Sequence, residues 1–329
     1  MKTPEYLKTR VSLFTLSLLA LPAMAFATDD AKLAEFPAGL LQISEVSTFS
    51  KYVIVVDKAL RKLMVFERDG REIKKVEEQP ADIGKSLGDK VKRDDSRTPE
   101  GIYFLQSKLT PPDISKDLYG SMAFTTNYPN VFDVLENKTG SGIWLHSIPD
   151  TVPLTRGSRG CVVVRNDVIQ KISNFIKLKE TPILIYDKVE YVTREELDKR
   201  RREIQSFVEK WRASWEANDL NTYMSNYSEN FAAPGFNVKS WRSHKERLKQ
   251  LYAFTKIHLS QPYLLVHGDK LIVKTLQKYE SNMHIDYGIK VLYVKKNAKG
   301  YQIIREEWEA APEQLVQAAA VGTSSSQLN

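Results

Sequence analysis

One cysteine and one histidine stand at a spacing that suits nucleophilic chemistry. Cys161 is the only cysteine in the 329 residues, and His146, the first of five histidines, precedes it by fifteen positions. A cysteine attacks carbonyl carbon as the thiolate, and a nearby imidazole can take the thiol proton. The pair predicts acyl transfer, with Cys161 as nucleophile and His146 as base. The alternative interpretation is a structural cysteine beside a loop histidine, since buried free cysteine is common.

Two short strands and the loop between them must position this pair. The β-prone run from Ile143 leads directly into His146, which we expect at the end of a strand. Proline and glycine between residues 149 and 157 predict a loop. The apolar run Val162 to Val164 then predicts a second strand, immediately after Cys161. Adjacent strand ends would bring imidazole and thiol within hydrogen-bond reach.

The residues around the thiol also favour a reactive site. Arg156, Arg159 and Arg165 add positive potential, which stabilises a thiolate. Gly160 permits backbone dihedrals that other residues avoid. Its amide and that of Cys161 are therefore predicted to stabilise the oxyanion of a tetrahedral intermediate.

The first 27 residues have the three parts of a secretory signal peptide. Basic residues up to Arg10 precede the apolar run Val11 to Leu21, and an A-x-A cleavage site follows at Ala25 to Ala27. We expect a periplasmic protein with no transmembrane segment once this signal is removed. A lone thiol in an oxidising compartment is a liability unless it is buried or used. The compartment therefore favours the nucleophile over the structural cysteine.

Composition and charge narrow the class of protein. A hydrophobic content of 42% is enough to form hydrophobic cores. The length suggests two domains after the signal peptide. The net charge of +7 is a mild excess, and it does not indicate a nucleic-acid partner. It suits a polyanionic envelope, although solubility alone would explain it equally well.

Residues 50–188 read as a mostly β domain, preceded by a preamble over residues 28–49. Short apolar runs alternate with turn signals, which is typical of such domains. The predicted strands include Tyr52–Asp57, Lys62–Glu67, Ile102–Leu105 and Thr181–Asp187. Helical spacing covers residues 166–178, and the preamble predicts a helix over residues 33–44.

The order of these elements resembles the L,D-transpeptidase catalytic domain, also called the YkuD domain. Its hallmark is a histidine about fifteen residues before a Ser/Thr-x-Gly-Cys box, matched here by His146, Ser158, Gly160 and Cys161. Further matches are Gly84, the turn from Arg97 to Gly101, and the Asn127-Tyr128-Pro129-Asn130 stretch. The resemblance implies a β-sandwich with a few helices, and cysteine acyl transfer on peptidoglycan stem peptides.

The resemblance also implies a reaction and a set of contacts. Cys161 would attack the L-to-D bond of a murein tetrapeptide and leave a thioester, which an amine or water then resolves. The chain departs from the family pattern at Ser147, Arg159 and Val163, which changes the pocket walls and leaves the acceptor open. The predicted oxyanion and loop residues are Ser158 and Gly160, and the predicted substrate-binding residues are Ser147, Arg159, Arg165 and Tyr128. Neither a cofactor nor a metal is predicted.

Residues 193–311 predict a second domain of α+β class. Thr193-x-x-Glu196 is a capping box that opens a long helix. Shorter helices and four strands follow, an order that resembles the cone-shaped SnoaL-like fold, related to nuclear transport factor two. We assign this domain to binding or dimerisation, and a homodimer is compatible with the resemblance. The tail over residues 312–329 is predicted to be disordered.

Three functions remain open at this point. The first is a peptidoglycan acyltransferase or L,D-carboxypeptidase; the secreted cell-shape-determining carboxypeptidases also resemble this chain in having a second C-terminal domain. The second is a catalytically idle murein-binding module that keeps the box only as structure. The third is a hydrolase that releases proteins from peptidoglycan.

Overall fold

The computed structural model describes residues 35–311, together with Met1 and Leu315. The predicted signal peptide and the predicted disordered tail therefore lie outside the described residues, apart from Met1 and Leu315. Within the described part of the chain, no helix combines the length and apolar character needed to cross a membrane.

Residues 35–192 are built mainly from strands. In chain order these strands are β1 Phe36–Pro37, β2 Leu40–Gln42, β3 Tyr52–Asp57, β4 Lys62–Asp69, β5 Glu72–Pro80, β6 Gly101–Leu109, β7 Ala123–Thr126, β8 Trp144–Ile148, β9 Val162–Arg165, β10 Pro182–Tyr186 and β11 Tyr191–Val192. The helices are α1 Lys116–Tyr119, α2 Val131–Leu135 and α3 Asn166–Ser173, with a 3-10 turn at Leu154–Arg156.

Eight of these strands form one sheet in the order β5-β4-β3-β10-β6-β7-β8-β9. Strand β6 joins its two halves, because residues 101–104 pair with β10 while residues 105–109 pair with β7. The register shifts between Leu105 and Lys108, where the sheet changes direction. Strands β8 and β9 are parallel and are connected by a loop instead of a helix.

Both faces of the central strands are buried, which explains their continuous apolar runs. In β3, Ile54 and Val56 pack with α3 and the strands β8 and β9, while Val53 and Val55 face a second cluster. That second cluster continues into the C-terminal sheet through Tyr263 and other residues of its strands. The two parts of the chain therefore share a hydrophobic core.

Within residues 193–311, the C-terminal part combines three helices with a curved antiparallel sheet. The helices are α4 Arg194–Glu216, α5 Leu220–Ser225 and α6 Val238–Leu251, and the strands are β12 Ala232–Ala233, β13 Phe236–Asn237, β14 Thr255–Leu259, β15 Tyr263–His267, β16 Lys270–Ser281, β17 Ile285–Asn297 and β18 Gly300–Ala310. The side chain of Thr193 caps α4 by accepting a hydrogen bond from the Glu196 amide. The buried face of α4, including Ile204 and Trp211, packs against this sheet.

The described part of the preamble is extended, so the helix predicted over residues 33–44 is wrong there. Strand β2 pairs with β15 and completes the C-terminal sheet in the order β18-β17-β16-β15-β2, while β1 pairs with β11. Leu40 and Leu41 are buried on opposite faces of β2. Both faces of this strand are covered, a situation that apolar spacing alone cannot distinguish from a buried helix.

The mostly β first part and the α+β second part confirm the predicted fold class.

Candidate active site

The parallel pair β8–β9 brings the candidate nucleophile and base to one edge of the sheet. Leu145 lies opposite Val162 and His146 opposite Val163, and Cys161 immediately precedes β9. His146 lies in the middle of β8, so the prediction of a strand end was wrong by two residues. The spatial proximity of the two elements is as the sequence predicts.

Imidazole and thiol line the same cavity, whose volume is about 510 Å³. His146 is only 3% exposed and Cys161 is half-buried. The thiol donates a hydrogen bond to the Gly142 carbonyl at 3.6 Å, and not to the imidazole. The rest of the lining comes from Lys85, Lys90, Arg93, Asp94, Leu118, Tyr119, Gly140, Ser141, Ile143, Arg156, Gly157, Ser158 and Arg159.

A backbone carbonyl fixes the tautomer of the imidazole. His146 Nδ1 lies 2.7 Å from the Ser147 carbonyl oxygen. Because a carbonyl can only accept, Nδ1 carries the proton and Nε2 of the neutral ring is free to accept one. The carbonyl therefore does for His146 what a carboxylate does in a Ser-His-Asp triad: it orients the ring and selects the tautomer.

The resting pair is neutral, contrary to the expectation of a thiolate maintained by nearby arginines. Burial raises the pKa of the Cys161 thiol to about 11, and the Trp144 backbone amide opposes this shift. The pKa of His146 is lowered to about 4, chiefly by burial; the hydrogen bond to the Ser147 carbonyl opposes this shift and the positive charge of Arg156 adds to it. A neutral imidazole with a free Nε2 is nevertheless the form that a general base requires.

Ser158 and Gly160 form the turn that presents the thiol. The Ser158 hydroxyl donates to the Cys161 carbonyl at 2.7 Å and accepts from the Gly160 amide at 3.0 Å. The Gly160 amide is therefore already bonded, which removes it from the predicted oxyanion site. Gly160 has φ +129°, and a Cβ there would lie 2.7 Å from the Arg97 carbonyl oxygen. Only glycine fits this position.

The segment around Gly84 is hydrogen bonded to the loop and strand on either side of Cys161. The buried Asp82 accepts a hydrogen bond from the Gly157 amide at 2.6 Å and bridges to Val163 through backbone hydrogen bonds. The Gly84 amide donates to the Thr98 hydroxyl, which belongs to the turn between Arg97 and Gly101. The upstream motifs therefore act by holding the loop that carries Cys161.

The four predicted substrate-binding residues occupy different environments. Arg159 is exposed at the cavity and pairs with Asp94 at 3.2 Å. The Arg165 guanidinium instead donates to the Val152 carbonyl at 2.7 Å and fixes the loop after β8. The side chains of Ser147 and Tyr128 are buried away from the cavity, where they hydrogen bond to backbone groups. Among the four, only Arg159 lines the cavity.

Several lining residues were missed by the sequence reasoning. Tyr119 packs edge-on against the His146 ring, with the ring centroids 5.1 Å apart. Lys85, Lys90 and Arg93 belong to a charged loop that the sequence marks only as a turn region. Lys85 had one available signal, its position directly after Gly84. Nothing in the sequence distinguishes Tyr119.

The C-terminal domain contains a second, smaller cavity lined by polar and aromatic side chains. Lys245 is buried there, with its ammonium 4.0 Å from the ring centroid of Trp215 and 4.6 Å from that of Trp241. Burial lowers the pKa of Lys245 to about 7.

Known proteins resemble this chain in both of its parts. The family model of the L,D-transpeptidase catalytic domain matches residues 51–185, and that of the Cds6 C-terminal NTF2-like domain matches residues 203–307. The solved structure of Bdellovibrio bacteriovorus Bd1075 is 61% identical, with a TM-score of 0.80 over 85% of this chain and 99% of that chain. The chain belongs to the L,D-transpeptidase family. It is of the type that carries a C-terminal NTF2-like domain, which confirms the resemblance drawn from its motifs.

A second solved structure, of lower identity, is similar over most of the chain. This chain is 26% identical to the helical cell-shape-determining protein Pgp2 from Campylobacter jejuni. The TM-score is 0.64, with 81% of this chain and 96% of that chain covered. Among curated proteins, none matches.

Proposed function

We propose that this protein is an L,D-carboxypeptidase that shortens murein tetrapeptides to tripeptides through a Cys161 thioester. Family membership supports peptidoglycan stem peptides as the substrate class. The single observation that carries the proposal is a cavity that holds the thiol, a correctly oriented neutral imidazole and an excess of positive charge.

Acylation begins with proton transfer from the Cys161 thiol to His146 Nε2. The thiolate attacks the carbonyl carbon of the residue before the terminal D-amino acid and forms a tetrahedral intermediate. As the intermediate collapses, the C–N bond breaks and the imidazolium returns the proton to the leaving amine. The thiol pKa of about 11 places this proton transfer after substrate binding, because a charged thiolate is disfavoured in the resting cavity.

Deacylation needs an acceptor, and the charge of the cavity favours water. Five Lys or Arg side chains and one Asp line the cavity. Among the described residues, Lys90 pairs with Asp95 and Arg159 with Asp94, while Lys85, Arg93 and Arg156 have no salt-bridge partner. These cations attract substrate carboxylates and repel the ammonium of an incoming second stem peptide. Water resolves the thioester with His146 as base, giving a tripeptide and the free thiol.

The biological setting follows from the same assignment. The predicted signal peptide supports a periplasmic location, where murein is accessible. The Campylobacter jejuni relative is described as determining helical cell shape, and we extend a role in cell shape to this protein. The NTF2-like domain, with its own cavity, is assigned to binding.

The test is muropeptide analysis by mass after incubation of the mature protein with purified sacculi. We expect tetrapeptide loss with tripeptide gain, and no product from Cys161→Ala. His146→Ala should lower the rate by ~10²–10⁴-fold. His258→Ala, which changes an exposed histidine on β14, is the matched control and should be fully active.

Each other outcome points to a different function. New crosslinks between diaminopimelate residues would make the protein a transpeptidase, and release of attached protein would make it a murein–protein hydrolase. Turnover by Cys161→Ala at the wild-type rate would eliminate the thioester mechanism. No product from the wild-type protein would support the idle murein-binding module.

A further inference from the structure

An aromatic side chain packs against the imidazole of the candidate base. Tyr119 packs edge-on against His146 and also against Trp144, with ring centroids 5.1 Å and 4.9 Å apart. Trp144 and His146 are two residues apart on β8 and so share one face of the strand. The phenol ring therefore rests on two neighbouring side chains of the strand that carries the base.

Helix α1 cannot hold Tyr119 in place by itself. It has only four residues, Lys116–Tyr119, none of which is buried, and its N-cap Ser115 makes no side-chain capping bond. A single turn of helix without a packed face is marginal in water. The position of Tyr119 must therefore be fixed by the residues that follow it.

Two polar side chains clamp the backbone directly after Tyr119. The Ser121 amide donates to both Asn166 Oδ1, at 2.9 Å, and Ser147 Oγ, at 3.0 Å. Gly120, with φ +64°, passes so close that a Cβ would lie 2.4 Å from Ser147 Oγ and 2.6 Å from Asn166 Oδ1. The clamp joins the start of α3 and strand β8 to the segment that carries the aromatic cover.

We propose that Asn166 is a positioning residue, which holds Tyr119 against His146 and so keeps the imidazole dry and oriented. The inference rests on the proposed function of His146 as the base. Ser147 contributes twice, because its carbonyl binds His146 Nδ1 and its hydroxyl belongs to the clamp. Asn166 touches neither the cavity lining nor the imidazole, so its effect passes through Tyr119.

The titration of His146 reports whether this cover is in place. The groups that face its ring are Tyr119 from α1, Cys161 from the turn before β9, and Arg156 from the intervening loop. Burial is the main cause of the low pKa of His146, about 4. Loss of the cover admits water and moves this pKa upward, toward the ordinary value of about 6.5.

The experiment follows the His146 ring protons by NMR across pH in the full-length mature protein, without substrate. In Asn166→Ala we expect the midpoint to rise by about one unit or more, and kcat/KM on muropeptides to fall about tenfold. Asn166→Asp keeps an acceptor oxygen for the Ser121 amide and should restore the rate. Asn174→Ala, at the exposed far end of α3, is the matched control and should change neither quantity.

A second set of variants covers the case in which Asn166→Ala does not fold. Tyr119→Ala should raise the imidazole midpoint, whereas Tyr119→Phe, which keeps the ring, should not. In a folded double variant, Asn166→Ala adds nothing to Tyr119→Ala, because the two act through one contact.

A folded Asn166→Ala with the wild-type titration curve would overturn the inference, as would a Tyr119→Ala whose imidazole midpoint does not move. The titration needs no substrate, so it decides this inference even if sacculi are not processed. Absence of sacculus processing by the wild-type protein would instead contradict the proposed function.

Discussion

At the scale of single residues, burial sets the protonation states of the thiol and the imidazole. The thiol and the imidazole lie in one cavity, yet burial disfavours the charged form of each, so both are neutral at rest. In the proposed mechanism, the free Nε2 of His146 takes the thiol proton once a substrate carbonyl is in place. The proposed reaction therefore depends on the bound complex more than on a preformed thiolate.

This neutral pair predicts an unusual acid limb in the pH dependence of the rate. His146 must be neutral to accept a proton, and its neutral fraction falls only as the pH drops through about 4. We expect kcat/KM to stay constant from about pH 7 down to about pH 5, since this parameter reports the free enzyme. Muropeptide rates measured across pH test this, and an acid limb near pH 6.5 would contradict it.

The cysteine turn predicts a strong effect of a single methyl group. Gly160→Ala combines a strained dihedral with a contact to the Arg97 carbonyl, so we expect a loss of about 2–4 kcal/mol in the free energy of unfolding. Gly235→Ala is the control, because its φ is also positive, +78°, but no atom lies within 4 Å of the added Cβ. It should cost about 1 kcal/mol in urea unfolding. Equal losses in the two variants would exclude the steric part of the argument.

At the scale of elements, the N-terminal strand is part of a sheet made almost entirely from the other end of the chain. Strand β2 forms the edge next to β15, and the Gly39 carbonyl accepts from the Val266 amide at 2.7 Å. The Gln42 side chain donates to the Pro262 carbonyl at 2.7 Å. A domain cut at residue 193 would therefore lack one strand of its sheet.

A substitution in β2 tests how much this strand contributes. Leu40 is fully buried in the core shared by both parts of the chain, and Leu40→Ala should lower the free energy of unfolding by about 2–5 kcal/mol. Leu60→Ala, at a residue that is 58% exposed, should change it by less than about 0.5 kcal/mol. Urea denaturation measures both. A small loss for Leu40→Ala would mean that β2 is dispensable.

At the scale of the whole molecule, one buried ion pair joins the two parts across their common core. Lys274 of β16 lies 2.7 Å from Glu180, which precedes β10, and their side chains are 8% and 16% exposed. The Lys274 ammonium also lies about 5 Å from the ring centroids of Phe49 and Phe104, at 5.0 and 5.1 Å. Removing Glu180 leaves the Lys274 ammonium buried without its counter-ion.

Breaking this pair should destabilise the whole molecule. We expect Glu180→Ala to cost about 3–5 kcal/mol, and the additional change Lys274→Met to recover most of that loss. Glu209→Ala breaks a solvent-exposed pair with Arg212 on α4 and should cost less than about 1 kcal/mol. Urea unfolding measures both losses. Equal losses of unfolding free energy in Glu180→Ala and Glu209→Ala would show that the buried position of the Lys274–Glu180 pair does not increase its contribution to stability.

The sequence by itself indicated the family and located most of the elements. The spacing of His146, Ser158, Gly160 and Cys161 indicated the family, because a short-range motif fixes local backbone geometry that any fold of the chain must respect. Alternating and continuous apolar runs located β3, β4 and β10 for the same reason. Thr193 predicted the start of α4, since a cap acts within one turn.

Tertiary structure decided what depends on partners distant in the chain. The strand at residues 40–42 requires β15, more than two hundred residues away, and the low pKa of His146 requires the surrounding core. The Gly160 amide, by contrast, is occupied by a local contact, because it donates to the Ser158 hydroxyl two residues earlier in the chain. Tyr119 joins the site only because Asn166 and Ser147 hold its segment there, a contact that no local pattern encodes.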